Sequence, residues 1–166
     1  KLNKDDVRFV SKSMMNEFYK YYKCRDDDAE PYILLPNIST YENAIMAYAS
    51  KENALVKTVR CGKIAVGYAH IYYTDYEDAN PKYSDHSVSL EFYLNEDYLF
   101  KSALSKMVDE TKNFYKEIKE SHHIDYLKVC LNKYTILIRR YAFYKRCLLE
   151  LGFEQKDKET FILKVE

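Results

Sequence analysis

The chain has 166 residues, of which 47% are hydrophobic and 31% are charged, and its 26 basic residues balance its 26 acidic ones. This composition is typical of one globular domain, so we expect a single domain over residues 1–166. Nucleic-acid binding depends on an excess of basic residues, and a membrane-spanning helix needs about 20 consecutive apolar residues. Because the sequence has neither feature, it predicts no nucleic-acid partner and no membrane partner.

The cysteines do not form a recognisable motif. Cys24, Cys61, Cys130 and Cys147 include no C-x-x-C pair, and their spacing to the histidines does not match a zinc site. Free cysteines are usually buried thiols in reducing compartments. We therefore expect a cytoplasmic protein with buried thiols and no metal site, and we interpret His122-His123 as a turn that follows a helix.

The first part of the chain predicts one strand, two helices and a loop. Val7 to Val10 has the character of a short strand, and apolar residues at helical spacing follow it, with Ser13 as the cap. Residues 24–36 contain four acidic residues and two prolines, a composition that predicts a loop. Ser39 and Glu42 have the spacing of a capping box at the start of the second helix.

Three strands follow these helices. Ala54 to Cys61 and Ile64 to Tyr73 are predicted to form a hairpin, because Gly62-Lys63 suits a two-residue turn between antiparallel strands. Ser87 to Leu94 alternates apolar and polar residues, which is typical of a strand with two different faces.

The last part of the chain predicts a helix between two strands, a further helix and a hairpin. A strand, helix and strand in succession favour a right-handed parallel crossover, so the sheet is predicted to be mixed. Asn95 caps the first of these helices and Gly152 ends the second. The predicted elements are a helix from about Glu96 to Glu120, a strand from Tyr126 to Asn132, a helix ending at Leu151, and a hairpin of 153–156 with Thr160 to Val165.

This order of elements resembles that of the Gcn5-related N-acetyltransferases (GNAT) over essentially the whole chain. Ile64 to Ala69 is similar to the third strand of that family, and Ser87 to Leu94 is similar to its fourth strand. Leu148 to Glu154, with its Gly-Phe pair, is similar to the family's entry into the last hairpin. The resemblance implies an α/β fold in which a mixed six- to seven-stranded sheet is flanked by about four helices.

The resemblance also implies acetyl-CoA as the cosubstrate. In the family, the fourth and fifth strands splay apart, and the backbone of the fourth strand binds the pantetheine arm in the gap. The matching positions here are Phe92, Tyr93 and Leu94, with Asn132 at the end of the facing strand.

The diphosphate of the cosubstrate lies, in the family, on the amides at the start of the following helix, where the helix dipole favours anions. The family pattern Gln/Arg-x-x-Gly-x-Gly/Ala is replaced here, with Ser102 and Leu104 in place of the glycines. Arg140 is a second candidate to bind the phosphates. The matching residues are Leu99, Phe100, Lys101, Ser102, Ala103 and Leu104.

For catalysis, the resemblance implies a general base on the fourth strand and a general acid on the last helix. Glu91 is the candidate base, and partial burial is expected to raise its pKa; His70 on the neighbouring strand is the second candidate. Tyr144 is the candidate acid, one turn before the position that the family uses, which is Leu148 here.

These features predict an N-acetyltransferase that moves an acetyl or other acyl group from acetyl-CoA to a primary amine of a small molecule or protein. We expect a monomer or a homodimer. One alternative is a catalytically inactive binding or regulatory module on the same fold, which the replaced glycines and Leu148 favour. Another is an α/β protein of a different fold. A wedge that opens beside Glu91 would distinguish the N-acetyltransferase from an α/β protein of a different fold.

Overall fold

The computed structural model describes residues 2–22, 37–77, 79–80, 85–131 and 138–165. These residues form four α-helices, six strands and one 3-10 turn, Glu96–Tyr98. The helices are α1 (Lys4–Tyr22), α2 (Ile38–Ala49), α3 (Lys101–Ile118) and α4 (Ile138–Glu150). The strands are β1 (Ala54–Cys61), β2 (Ile64–Tyr76), β3 (Asp85–Leu94), β4 (Tyr126–Cys130), β5 (Glu154–Gln155) and β6 (Thr160–Lys164).

The strands form one mixed sheet in the order β1-β2-β3-β4-β6-β5. Only β3 and β4 pair in parallel within the described residues, and the other neighbours are antiparallel. The parallel pair is joined through α3, as the predicted crossover requires. The predicted mixed sheet with four helices is confirmed.

Each face of the sheet is covered by a different pair of helices. Alternation along β3 sends Val88, Leu90 and Leu94 to the side of α3 and α4, where they join the main core. The intervening polar positions of β3 face the opposite side. There α1 and α2 pack on β1 and β2 through a second cluster, which contains Val7, Val10, Ile45, Val56 and Ala65.

The start of α1 corrects the predicted strand at Val7 to Val10. The helix begins at Lys4, and the side chain of Asn3 accepts a hydrogen bond from the backbone amide of Asp5 at 2.8 Å. Val7 and Val10 are one helical turn apart, so both reach the buried face of α1. Apolar residues at this spacing fit a helix better than a strand, and the prediction of Ser13 as a cap is wrong for the same reason.

Helix α2 is capped two residues earlier than the sequence predicted. Asn37 accepts a hydrogen bond from the amide of Thr40 at 3.0 Å, and the hydroxyl of Thr40 accepts one from the amide of Asn37 at 3.2 Å. This pair forms the capping box in place of Ser39 and Glu42. The predicted loop at 24–36 lies outside the described residues.

The predicted helix from Glu96 to Glu120 is interrupted near its start. Asn95 caps a 3-10 turn, as its side chain accepts from the amide of Asp97 at 3.0 Å. The amide of Glu96 donates to Glu17 of α1 at 2.7 Å, and this contact anchors the turn to another element. The chain is then extended at Phe100, and α3 begins at Lys101.

The predicted last hairpin is confirmed. Gly152 has a φ of +93°, which is the left-handed conformation expected after a helix, and β5 pairs with β6. Phe153 then enters the main core. The preceding strand, β4, ends at Cys130 rather than at Asn132.

The cysteines differ in exposure. Cys147 is buried and Cys130 is half-buried, but Cys61 is exposed because it ends β1 beside the Gly62 turn. The prediction of a buried thiol is therefore wrong for Cys61, and Cys24 lies outside the described residues. Every helix in the described part of the chain is too short or too polar to cross a bilayer.

Candidate active site

A wedge opens in the sheet beside Glu91. Strand β3 pairs with β2 along its whole length, up to Leu94 opposite Gly67. Its pairing with β4 runs only from Ser87 opposite Tyr126 to Leu90 opposite Val129. Residues 91–94 therefore have no ladder partner on the β4 side among the residues that the structure describes.

The wedge exposes backbone amides of β3. The amide of Asn95 donates to the carbonyl oxygen of Val66 on β2 at 2.8 Å. Because successive backbone groups of a strand point to opposite sides, the amides of Phe92 and Leu94 point away from β2 and into the wedge. Two of the three predicted pantetheine-binding positions therefore present donors there, whereas the amide of Tyr93 faces β2. The structure does not describe Asn132.

Glu91 and His70 are cross-strand neighbours on the face that α1 and α2 cover. They are paired in the β2–β3 register, and Nδ1 of His70 lies 3.7 Å from Oε2 of Glu91. The hydroxyl of Tyr72 donates to Oε1 of Glu91 at 3.1 Å. The nearby imidazole of His70 and the hydrogen bond from Tyr72 hold the pKa of Glu91 below its usual range. The expectation of a raised pKa is therefore wrong, and Glu91 is ionised at neutral pH.

His70 is held between two aromatic rings. Its imidazole stacks on Tyr48, with the ring centroids 4.3 Å apart, and lies 4.8 Å from the ring centroid of Tyr72. Both ring nitrogens of His70 are buried, and neither has a hydrogen-bond partner among the described residues. Buried polar atoms are rarely left without partners, so this pair of nitrogens is a candidate contact for a substrate.

Tyr144 approaches the wedge from the other face of the sheet. Its ring meets Phe92 edge-on, with centroids 5.0 Å apart, and its side chain is buried in the main core. Burial raises the pKa of the Tyr144 hydroxyl. The phenol therefore keeps its proton at neutral pH, as a general acid must. Leu148, at the position that the resemblance favours for this role, is fully buried.

The predicted diphosphate turn, residues 99–104, directs the side chain of Leu104 into the core. Leu104 is fully buried, while Lys101 and Ser102 are exposed in the first turn of α3. Amides in the first turn of a helix lack partners within the helix and attract anions. Leu104 is larger than the glycine that the family has at this position. Its side chain points into the core, so it does not obstruct the surface that these amides form. Leu99 and Ala103 are half-buried and Phe100 is exposed.

The cation nearest this turn is paired with an acid. Lys101 forms an ion pair with Glu150 at the end of α4. The 3-10 turn that precedes the diphosphate turn carries two acidic residues, Glu96 and Asp97. Glu96 lies 2.5 Å from the ammonium of Lys20. Negative charges therefore lie immediately before the predicted diphosphate turn.

Arg140 has different partners from those expected. The guanidinium is buried, lies 2.7 Å from Glu17 of α1 and reaches Glu96 at 3.5 Å. Next to it, the hydroxyls of Ser13 and Tyr93 lie 3.0 Å apart. This buried network ties α1, the end of β3 and α4 together at the mouth of the wedge. The charge of Arg140 is balanced within the chain, so the structure does not support a phosphate-binding role for it.

A cleft of about 420 Å³ lies between α1 and the 3-10 turn. It adjoins the predicted diphosphate turn but does not include Glu91 or His70. Its walls combine apolar groups with both signs of charge. The residues that line it are Phe9, Lys12, Ser13, Asn16, Glu17, Lys20, Ile64, Ala65, Val66, Asn95, Glu96, Asp97 and Tyr98.

The sequence patterns did not indicate several of these residues. Tyr72 could have been found, because it alternates with His70 along β2 and must share its face. Glu17 and Tyr48 could not, because their roles depend on how α1 and α2 dock on the sheet.

Comparisons with known proteins agree with this architecture. Neither a protein-family model nor a curated protein matches the sequence. Solved structures are similar across nearly the whole chain. A GNAT-family acetyltransferase from Streptococcus pneumoniae has a TM-score of 0.54 and 12% identity, covering 98% of this chain and 95% of that one. The yncA protein from Salmonella typhimurium, solved with its cofactor acetyl-CoA, has a TM-score of 0.55 and 12% identity, covering 99% and 91%. The aminoglycoside acetyltransferase AAC(6')-Ib, in complex with coenzyme A and kanamycin, has a TM-score of 0.60 and 9% identity, covering 98% and 91%.

Proposed function

We propose that this chain, which has the fold of the Gcn5-related N-acetyltransferases, transfers an acetyl group from acetyl-CoA to a primary amine of a small molecule or protein. The observation that carries this proposal is the wedge beyond Leu90 and Val129, where β3 separates from β4 beside an ionised carboxylate. Two structures of similar fold contain acetyl-CoA or coenzyme A, and one of these also contains kanamycin.

The residues of the wedge fit a pantetheine arm. The amides of Phe92 and Leu94 supply hydrogen-bond donors along an open strand edge, and the exposed first turn of α3 supplies amides for a diphosphate. Lys101 adds a positive charge that can exchange Glu150 for a phosphate, because the ion pair is exposed. Arg140 and Lys20 neutralise Glu96 and so reduce its repulsion of the ligand.

Proton transfer is assigned to Glu91 and Tyr144. Glu91, with His70 beside it, accepts a proton from the ammonium group of the acceptor, which frees a lone pair to attack the thioester carbonyl. Tyr72 holds Glu91 in place through its hydrogen bond. As the new C–N bond forms and the C–S bond breaks, Tyr144 donates its phenolic proton to the leaving sulfur. The Tyr144 phenolate then recovers a proton from the attacking nitrogen, as this nitrogen becomes part of the amide.

Binding of the cosubstrate is tested first, by thermal-shift and calorimetric titration with acetyl-CoA and coenzyme A. We expect saturable stabilisation, about 2.7 kcal/mol at a ligand concentration 100 times Kd. No stabilisation by either ligand at millimolar concentration would refute the proposal in its enzymatic form.

Catalysis is tested next, by thiol release from acetyl-CoA with a panel of polyamines, lysine peptides and aminoglycosides. The Glu91→Gln variant is expected to lower kcat/KM by about 10²- to 10⁴-fold, the usual contribution of a general base, while acetyl-CoA binds as before. Glu117→Gln, on the exposed side of α3, is the matched control and should retain full activity. Equal activity of the two variants would exclude Glu91 as the base.

A second candidate function is a binding or regulatory module without catalysis. The acidic pair Glu96 and Asp97 just before the diphosphate turn, together with the internal pairing of Arg140, favours this candidate. It predicts that coenzyme A ligands fail to bind, or that they bind without any release of thiol in the presence of amines.

A further inference from the structure

A cluster of histidines and carboxylates lies at the opposite end of β3 from the open part of the wedge. Asp75, near the end of β2, is at its centre. Nδ1 of His86 donates to Oδ1 of Asp75 at 3.0 Å. Nδ1 of His122 and the backbone amide of His123 each donate to Oδ2 of Asp75 at 3.0 Å. A single carboxylate therefore fixes the start of β3 and the segment that follows α3.

Three side chains around Asp75 bring metal-ligating atoms close to one another. Glu77, His86 and His123 each offer a ligand atom, and these atoms all lie within 4.8 Å of one another. Nε2 of His86 lies 3.6 Å from Oε1 of Glu77. The rings of His86 and His123 are stacked, with centroids 4.3 Å apart.

The neighbouring carboxylates fix which nitrogens carry lone pairs. Since Nδ1–H of His86 is bound to Asp75, Nε2 is the unprotonated nitrogen of the neutral ring, and it faces Glu77. Nε2 of His123 lies 2.8 Å from Asp125, which leaves its Nδ1 unprotonated. Histidines that bind metals usually donate their other N–H to a carboxylate in this way.

We propose that Glu77, His86 and His123 form a binding site for a divalent transition-metal ion such as Zn²⁺ or Ni²⁺. Two imidazoles and a carboxylate suit these ions, and three protein ligands leave a position for water. Bonds of about 2.0–2.2 Å to the metal place neighbouring ligand atoms about 3.3 Å apart, so the ligand atoms must close by up to about 1.5 Å. Glu77 and His123 are exposed and can rotate, while Asp75 holds His86 in position.

The ion would join the end of β2, the start of β3 and the segment after α3. His86 is five residues from Glu91 along an extended strand, a separation of about 17 Å. The metal site is therefore separate from the candidate active site and does not depend on the proposed function. Its expected effect is to stabilise the fold.

The test is calorimetric titration of untagged protein with ZnCl₂ and with NiCl₂, followed by thermal unfolding. We expect one ion per chain, a rise in Tm, and no comparable effect of MgCl₂, because Mg²⁺ prefers oxygen ligands. His86→Ala and His123→Ala should each lower the affinity at least tenfold. Asp75→Asn should lower it by about 10- to 100-fold through the loss of orientation.

Two variants serve as controls. His122→Gln removes a histidine of the same cluster that is outside the ligand set, and Cys61→Ser removes the exposed thiol; both should bind the ion as the unmodified chain does. Far-UV circular dichroism and urea unfolding without metal establish that each variant is folded. The proposal is wrong if no saturable binding occurs, if both His86→Ala and His123→Ala bind normally, or if Cys61→Ser abolishes binding.

Discussion

At Gly67, a β-carbon would lie 2.0 Å from the carbonyl oxygen of Tyr93 and 2.9 Å from its carbonyl carbon. The obstacle is the backbone of β3 and not a side chain that can rotate away. We expect Gly67→Ala to lower the free energy of unfolding by about 1–3 kcal/mol, as overpacking does, and to weaken coenzyme A binding by moving residues 93–94. Urea unfolding and ligand titration measure the two effects.

Gly62→Ala is the matched control for this substitution. Gly62 has a φ of +61°, but a β-carbon there would meet nothing within 4 Å. Gly62→Ala should lower the free energy of unfolding by about 1–2 kcal/mol, because alanine must adopt the left-handed backbone there. Ligand binding should not change. Unaltered coenzyme A affinity in Gly67→Ala would show that the close approach of the strands does not position the β3 amides.

Glu91 provides a test of local electrostatics. Its pKa is lowered by His70 and Tyr72, so its ionised form contributes stability above the pKa of the unfolded chain and loses it as the pH falls through the folded pKa. Because the carboxylate is 44% exposed, solvent screening limits this contribution to less than about 1 kcal/mol.

The Glu91 pKa can be measured by carbon-detected NMR titration of the carboxyl group. We expect a pKa below the ordinary glutamate value in the unmodified chain, and a higher one in both His70→Gln and Tyr72→Phe. The control variant Glu120→Gln removes an exposed carboxylate on the segment after α3. It should leave the Glu91 titration unchanged. If the Glu91 pKa rises in neither the His70→Gln nor the Tyr72→Phe variant, the assigned cause is wrong.

Among the elements, α1 and α4 are joined by a buried ion pair whose members are 123 residues apart in the chain. The side chains of Arg140 and Glu17 are only 7% and 11% exposed. Removing one partner leaves the other charge buried, so Arg140→Met is expected to cost about 3–5 kcal/mol of unfolding free energy. The double variant Arg140→Met/Glu17→Gln should lose less than the sum of the two single variants.

The exposed pair Lys57–Glu110 is the control for this double-mutant cycle. Its atoms approach to 2.5 Å, but the side chains are 49% and 40% exposed. A coupling energy of at most about 1 kcal/mol is expected, because water screens the charges. Urea unfolding of all four members of each cycle measures the coupling. Equal coupling in the two pairs would contradict a special role for burial.

Local patterns predicted the elements whose signals are contained within a few residues. The β1–β2 hairpin follows from Gly62, and the last hairpin follows from Gly152 and Phe153. Val7 and Val10 were misassigned because four residues are too few to separate a strand from one turn of a helix. The break before α3 was missed because it depends on Glu17, a residue of another element.

For the molecule as a whole, the order of elements predicted the topology, and the family resemblance that rests on this order implied the wedge. The order of elements also brought Glu91 and His70 together, since alternation on adjacent strands fixes which side chains are neighbours. The partners of Arg140 could not be predicted, because a residue's charge does not reveal which distant acid will reach it. The convergence of His86 and His123 was missed for a similar reason: the sheet register and the end of α3 jointly create it.

Strand β6 is formed late in the chain, yet it lies inside the sheet, between β4 and β5. During synthesis on the ribosome, β4 must therefore leave the exit tunnel with one edge unpaired, and it stays so until α4, β5 and finally β6 have followed. An unpaired strand edge is open to misassociation with other chains. The nascent chain is thus most vulnerable in the interval between the completion of β4 and the arrival of β6.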